Sequence, residues 1–264
     1  MPTRDLAAAK EAYKNGDAEL SRKAHEASTE EHMQGQGQYI KSIIYGGLDG
    51  IITTFAVVAG VAGASLSAGI VLILGFANLF ADGLSMAIGD FLSTKAENEY
   101  NKAERKREQW EVEHFPDGEK KELVELYVEK GMPEMDAQAM VELIARHPKA
   151  WIDIMMVEEL GIVESAESPL RNAIATFLSF GVFGFVPLAA HVTAMFVPGM
   201  RAYSFELSCI LTALTLFVLG ALKVRITERN WFLSGIEMLI VGGLAAAAAY
   251  GIGYALKGLA GGVA

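Results

Sequence analysis

Residues 45–64 read YGGLDGIITTFAVVAGVAGA, an apolar stretch full of small residues and interrupted by a single carboxylate, Asp49. With the residues before it, the apolar run covers 40–64. A helix needs about 20 apolar residues to cross roughly 30 Å of hydrocarbon at ~1.5 Å per residue, so this stretch is long enough to span a bilayer. The same scan finds four more runs, at 68–93, 172–197, 203–222 and 231–256. The first two are joined by a short uncharged turn around Ser65 and Ser67, which predicts a tight membrane hairpin. The expected fold is an all-α membrane protein with five transmembrane helices, and a helical domain between the second and third.

Composition agrees with two kinds of segment in one chain, since 52% hydrophobic residues stand beside 20% charged ones. The expected divisions are an amino-terminal segment 1–39, spans one and two in 40–95, a helical domain 96–169, and spans three to five in 170–264. The long polar stretch before the first apolar run is not a secretory signal peptide. The lone Cys209 excludes an intrachain disulfide and a cysteine zinc cluster, and reads as packing. Orientation follows Lys and Arg. Arg22, Lys23 and Lys41 precede span one, Lys223, Arg225 and Arg229 join spans four and five, and the opposite side carries only Arg201 and Lys257. The amino terminus and the helical domain are therefore expected in the cytoplasm, with Tyr39, Tyr203, Trp231 and Tyr254 as interfacial anchors.

The segment 97–168 holds 19 of the 32 acidic residues against nine Lys and Arg, which argues against a nucleic-acid partner. The first helix is expected to run on from span two to about His114 and to be broken by Phe115, Pro116, Asp117 and Gly118. Three more follow, ending near Lys130, His147 and Gly161. Glu108 and Glu111 are three apart, as are Glu119 and Glu122, while Met155, Met156 and Glu159 share one face of the last helix. Carboxylates with thioethers make a mixed hard and soft ligand set suited to Fe(II) or Mn(II). A solvated acidic face has the same spacing.

Asp49 is the sharper signal, because a carboxylate inside a span costs about 2.5–3.5 kcal/mol on insertion scales and ordinarily faces a pathway or a partner. Met86 on span two is expected at the same depth, where its sulfur is either core packing or a metal ligand. Asp82 and Asp90 stand four residues to either side of Met86, as a proton site or a cation entrance. The glycines of span one, at 46, 47, 50, 60 and 63, make it a candidate dimer interface.

The stretches YGGLDGIITTFAVVAGVAGA and ADGLSMAIGDFLSTKAE, with the acidic insert, resemble the vacuolar iron transporter family over nearly the whole chain after residue 38. The resemblance implies five spans, a homodimer with its pore between subunits, and proton-coupled export of Fe(II), with Mn(II) as a further cargo, from the cytosol. It maps the family's intramembrane ligands onto Asp49 and Met86, and its cytoplasmic metal-binding residues onto Glu108, Glu111, Glu119, Glu122, Met155, Met156 and Glu159. This chain departs from the family's pattern at Leu48, Asp82 and Asp90.

The expected function is therefore a divalent metal/proton antiporter rather than an enzyme, in a prokaryotic inner membrane, with metal ions, protons, lipid and a second copy as partners. Two other readings compete. Glu111 and His114 form one Glu-x-x-His, half of a di-iron ferroxidase signature, though no second copy follows. A non-transporting sensor or scaffold would use the acidic domain as an interaction surface. In the amino-terminal segment, His25, Glu30, Glu31 and His32 can touch metal, but a surface helix is the simpler reading, followed by a Gly/Gln linker from Gln34 to Gln38.

Overall fold

Short capping signals set the helix boundaries. Asp17 Oδ1 accepts from the backbone N–H groups of Glu19 and Leu20, each at 3.0 Å, and starts a helix. Asn230 Oδ1 does the same for Phe232 N–H at 2.9 Å. Gly131 and Gly161 take positive φ of 95° and 65° just past two helix ends, where a side chain would be strained. A computed structural model describes residues 6–26, 34–163, 167–227 and 230–260. His25's side chain, Glu30, Glu31, His32 and Tyr39's side chain lie outside what it describes.

In chain order the helices are α1 (Leu6–Asn15), α2 (Ala18–Glu26), α3 (Gln34–Gly63), α4 (Ala68–His114), α5 (Pro116–Glu129), α6 (Glu134–Ile144), α7 (Pro148–Glu158), α8 (Pro169–Phe196), α9 (Ser204–Thr227) and α10 (Trp231–Ala260). A 3₁₀ turn, Pro198–Tyr203, precedes α9. The described residues contain no strand. Among the described residues five helices are long and apolar enough to cross a membrane: Lys41–Gly63, Ala68–His114, Pro169–Phe196, Pro198–Leu222 and Trp231–Leu259. At ~1.5 Å per residue α4 far exceeds a bilayer's thickness, and only its first half, to about residue 93, is apolar.

Two compact units result, Met1–Leu84 with Ala175–Ala264, and Ser85–Ile174. In the first, α3 packs against α9 and α10. The glycines of α3 are what permit its close contacts. A Cβ on Gly46 or Gly50 would run into the backbone of Thr176 or Phe180 on α8, and one on Gly63 into the backbone of Tyr250 on α10. This corrects the dimer-interface reading of that face, because α8 and α10 of the same chain already occupy it. Outward-facing Phe80 and Leu84 on α4, Val182 on α8 and Leu244 on α10 suit contact with lipid. Pro187 interrupts the ladder of α8, and its carbonyl accepts from the buried Ser208 Oγ at 2.7 Å, which satisfies a polar group the bilayer cannot.

The second unit holds the polar half of α4 with α5, α6 and α7 around a small core of Val112, Leu123, Val141, Trp151 and Met155. Ion pairs of Lys120 with Glu142 at 2.9 Å and of Arg105 with Asp153 cross between its helices. Two boundaries differ from expectation. Only Phe115 breaks the chain between α4 and α5, because Pro116 suits the first position of a helix, and Asp117 and Glu119 favour its first turn. Gln34 to Gln38 is the first turn of α3 rather than a linker.

Candidate metal centre

Reversal of the chain at Phe115 folds the end of α4 back against the start of α5, and this brings Glu108 and Glu119 together. Their side chains are nearly sealed from water, 1% and 6% exposed. Glu159, at the carboxyl end of α7, completes a triad in which one ligand oxygen from each residue lies within 4.8 Å of the others. The group draws on three helices, so it exists only when the unit is folded.

Glu159 is exposed, so the electrostatics of the triad are those of two carboxyls held out of water beside a third that meets solvent. Burial, reinforced by the charges of Glu119 and Glu159, pushes Glu108 up to about 8. Glu119 is pushed up to about 7, again mainly by burial, while a hydrogen bond from the Glu108 carboxyl acts the other way. Glu159 is raised by burial and by Glu122 and Glu111, with Arg107 opposing. A proton therefore sits between Glu108 and Glu119 at neutral pH. Glu108 Oε1 and Glu119 Oε2 are buried with no hydrogen-bond partner. Buried acceptors without donors are costly, and a cation satisfies them.

The remaining predicted ligands divide. Glu111 and Glu122 are close enough to act electrostatically on the triad, though neither is part of it. Arg107 Nε lies 3.8 Å from Glu111 Oε2. Met155 and Met156 are fully buried, and Met155 packs in the apolar core. His114 stacks on Trp110 at 4.5 Å between ring centroids, with its Nδ1 2.8 Å from the Trp110 carbonyl oxygen.

Within the first unit, Asp49 is half-buried on α3, and its backbone carbonyl accepts from Thr53 Oγ1 at 2.8 Å. Asn78 on α4 donates through Nδ2 to Thr53 Oγ1 at 3.3 Å and to Thr54 Oγ1 at 3.5 Å. Asp82, one turn further along α4, is exposed and lies near enough for its charge to act on Asp49. Sequence reasoning overlooked Asn78. The available signal was its spacing, since 78, 82, 86 and 90 fall four apart and so share one face of α4. Met86, half-buried, belongs to the second unit.

A family model described as the VIT family matches residues 40–254. Among curated proteins, the chain is 39% identical to a vacuolar iron transporter of Toxoplasma gondii, over 96% of this chain and 89% of that one. It is 36% identical to a vacuolar iron transporter of Plasmodium falciparum, over 97% and 98% of the two chains. It is 34% identical to vacuolar iron transporter 1 of Oryza sativa, over 89% and 91%. These relatives are eukaryotic, and they give the prokaryotic inner membrane expected from the sequence no support. The matches run over most of both chains, and the chain belongs to the vacuolar iron transporter (VIT) family.

Proposed function

We propose that this multi-pass membrane protein carries Fe(II), and Mn(II) as a second cargo, out of the cytosol in exchange for protons. The observation that carries the reading is the Glu108, Glu119 and Glu159 triad with its two buried, unpartnered oxygens, in a chain whose spans also hold carboxylates. The names of the relatives support iron as the cargo.

In this reading the helical unit lies in the cytoplasm and gathers metal at Glu108, Glu119 and Glu159. Glu111 and Glu122 raise the local negative potential, and the thioethers of Met155 and Met156 add soft donors that favour transition metals over Ca(II). Metal at the triad displaces the proton held between Glu108 and Glu119. Asp49 and Met86 serve as ligands within the membrane, and Asn78 and Asp82 line the same path.

Asp82 also supports a homodimer. A carboxylate exposed in the middle of an apolar helix is too costly to leave against lipid, and a second copy placed over that face of α4 encloses it with Asp49 in a polar path. The di-iron enzyme reading draws no such support, since His114 is engaged by Trp110 and stands outside the triad. Purified protein in proteoliposomes with an imposed pH gradient tests the reading, with Fe(II), Mn(II), Zn(II) and Ca(II) offered in turn. Fe(II) and Mn(II) uptake that follows the gradient is expected. Iron oxidation without uptake points to the enzyme, and binding without uptake to a sensor.

A further inference from the structure

Arg107 immediately precedes Glu108 on α4, and its guanidinium stands among carboxylates of the same helix, all within the second unit. Glu104 lies three residues before it and Glu111 four after, spacings that put both beside it on the helix surface. The two contacts differ. Glu104, whose side chain is only 13% exposed, takes both ends of the guanidinium fork: Nη1 donates to Oε1 at 3.3 Å, and Nη2 lies 2.5 Å from Oε2. Nε lies 3.8 Å from Glu111 Oε2, within the range of an ion pair and beyond that of a hydrogen bond. Arg107 is thus anchored on Glu104 and turns its charge on Glu111 without gripping it.

The same charge reaches the triad, where it acts on Glu159 against the charges of Glu122 and Glu111. A positive group beside gathered carboxylates repels an incoming divalent ion and cancels part of the attraction that Glu111 exerts on it. A guanidinium keeps this charge at every pH the protein meets, and its planar fork on Glu104 fixes where the charge sits. Half-exposed ion pairs contribute little to stability, so bracing α4 is a weak reason for the arrangement.

We propose that Arg107 sets the metal affinity of the Glu108, Glu119 and Glu159 centre: a resident cation, held by Glu104, that offsets the charge of Glu111 and keeps a divalent ion bound loosely enough to be passed on. It touches no metal and acts through the field at the triad. The inference deepens the transport reading above and rests on it, because a centre that must release its ion is the kind that gains from a fixed counter-charge.

The experiment is a titration of the full chain in lipid nanodiscs with Mn(II), followed by electron paramagnetic resonance and reading the ion that Glu108→Gln removes. Arg107→Gln is expected to tighten that ion by about fivefold, the upper scale for a partly exposed charge contact. Arg107→Lys returns the charge and should undo most of the gain. Lys95→Gln makes the same charge change twelve residues back along α4, about 18 Å away and beyond the ~10 Å screening length at moderate salt, and should leave the affinity where it was. In a Glu111→Gln background the gain from Arg107→Gln should shrink to about twofold or less, as two coupled charges require. Unchanged or weaker binding in Arg107→Gln shows that the guanidinium only braces α4, and overturns the inference. An equal gain from Lys95→Gln, or a gain that persists in full without Glu111, overturns it too. Should Arg107→Gln not fold, Arg107→Met, which keeps the apolar stem, is read against the same outcomes. Unmodified protein that binds no Mn(II) through Glu108 overturns the metal reading and this inference with it, whereas ordinary binding left unmoved by Arg107→Gln overturns this inference alone.

Discussion

Glu108 and Glu119 share a hydrogen bond between carboxyl groups that are almost entirely buried, one from the end of α4 and one from the first turn of α5. Two acidic side chains so placed can remain together only with a proton or a metal ion between them. The pair thus records the chemistry of its occupant in its own titration.

The pH dependence of stability follows from that pair. Glu108 ionises near 8 in the folded protein against an ordinary 4.5, so the metal-free fold binds more protons than the unfolded chain in that interval. The stabilisation is complete below about 4.5 and is lost as pH rises through 8. Thermal melts of the metal-free protein are expected to fall from about pH 5 to about pH 8, and saturating Mn(II) to flatten the slope. Calorimetry near neutral pH in buffers of different ionisation enthalpy should show roughly one proton released per metal bound.

Glu108→Gln is expected to separate stability from binding. The amide keeps the shape and removes a buried charge, so the metal-free protein gains about 1 kcal/mol at alkaline pH, the usual scale when a functional site is relieved of strain. Metal-dependent stabilisation should vanish in the same variant. Glu111→Ala with Glu122→Ala, outside the triad, should weaken Mn(II) binding by a smaller factor in the same titration. Equal loss in the two cases would place the outer carboxylates in direct contact with the ion.

Transport measurements address the membrane residues. Asp49→Asn and Asp82→Asn each retain size while losing charge, and each is expected to cut Fe(II) uptake into proteoliposomes by about tenfold or more, a barrier change of ~1.4 kcal/mol. Met86→Leu conserves volume and costs under about 1.5 kcal/mol of stability. Uptake slowed beyond its effect on the melting temperature assigns the sulfur to metal, and unchanged kinetics assign it to packing.

Gly63→Ala tests the helix contacts. The added methyl meets the backbone of Tyr250, which cannot yield as a side-chain tip does, so α3 and α10 must separate. A loss of about 2 kcal/mol or more is expected in detergent unfolding. Gly243→Ala, on α10 where a Cβ meets nothing within 4 Å, is the matched control and should be neutral or slightly stabilising.

Much of this architecture was legible in the chain. Four of the five spans fall within a few residues of the apolar runs, because hydrocarbon thickness sets helix length, the second runs on to His114 as one helix, and Pro148 opens α7 as its fixed φ requires. Spacing within single helices identified the acidic pairs. What it could not give was which members meet: Glu108, Glu119 and Glu159 converge through the folding of three helices, while Glu111 and Glu122 remain outside the triad. For the same reason the glycines of α3 announced a close contact without naming α8 and α10 as the neighbours. Asn78 is neutral, and a search for charge passes over it.

Backbone-to-backbone contact also has a mechanical meaning. Where Gly46 and Gly50 let α3 touch α8, and Gly63 lets it touch α10, no side chain stands between the helices to change rotamer and absorb a displacement. These three helices can only move as one piece, like stones set without mortar. Asp49 belongs to that piece, so under the proposed transport reading cargo would pass a fixed charge, and any change of access would come from elements that lean on it through side chains. On α4 those bearings are Leu79 against Gly184 and Gly75 against Leu188, compliant contacts on which a helix can tilt.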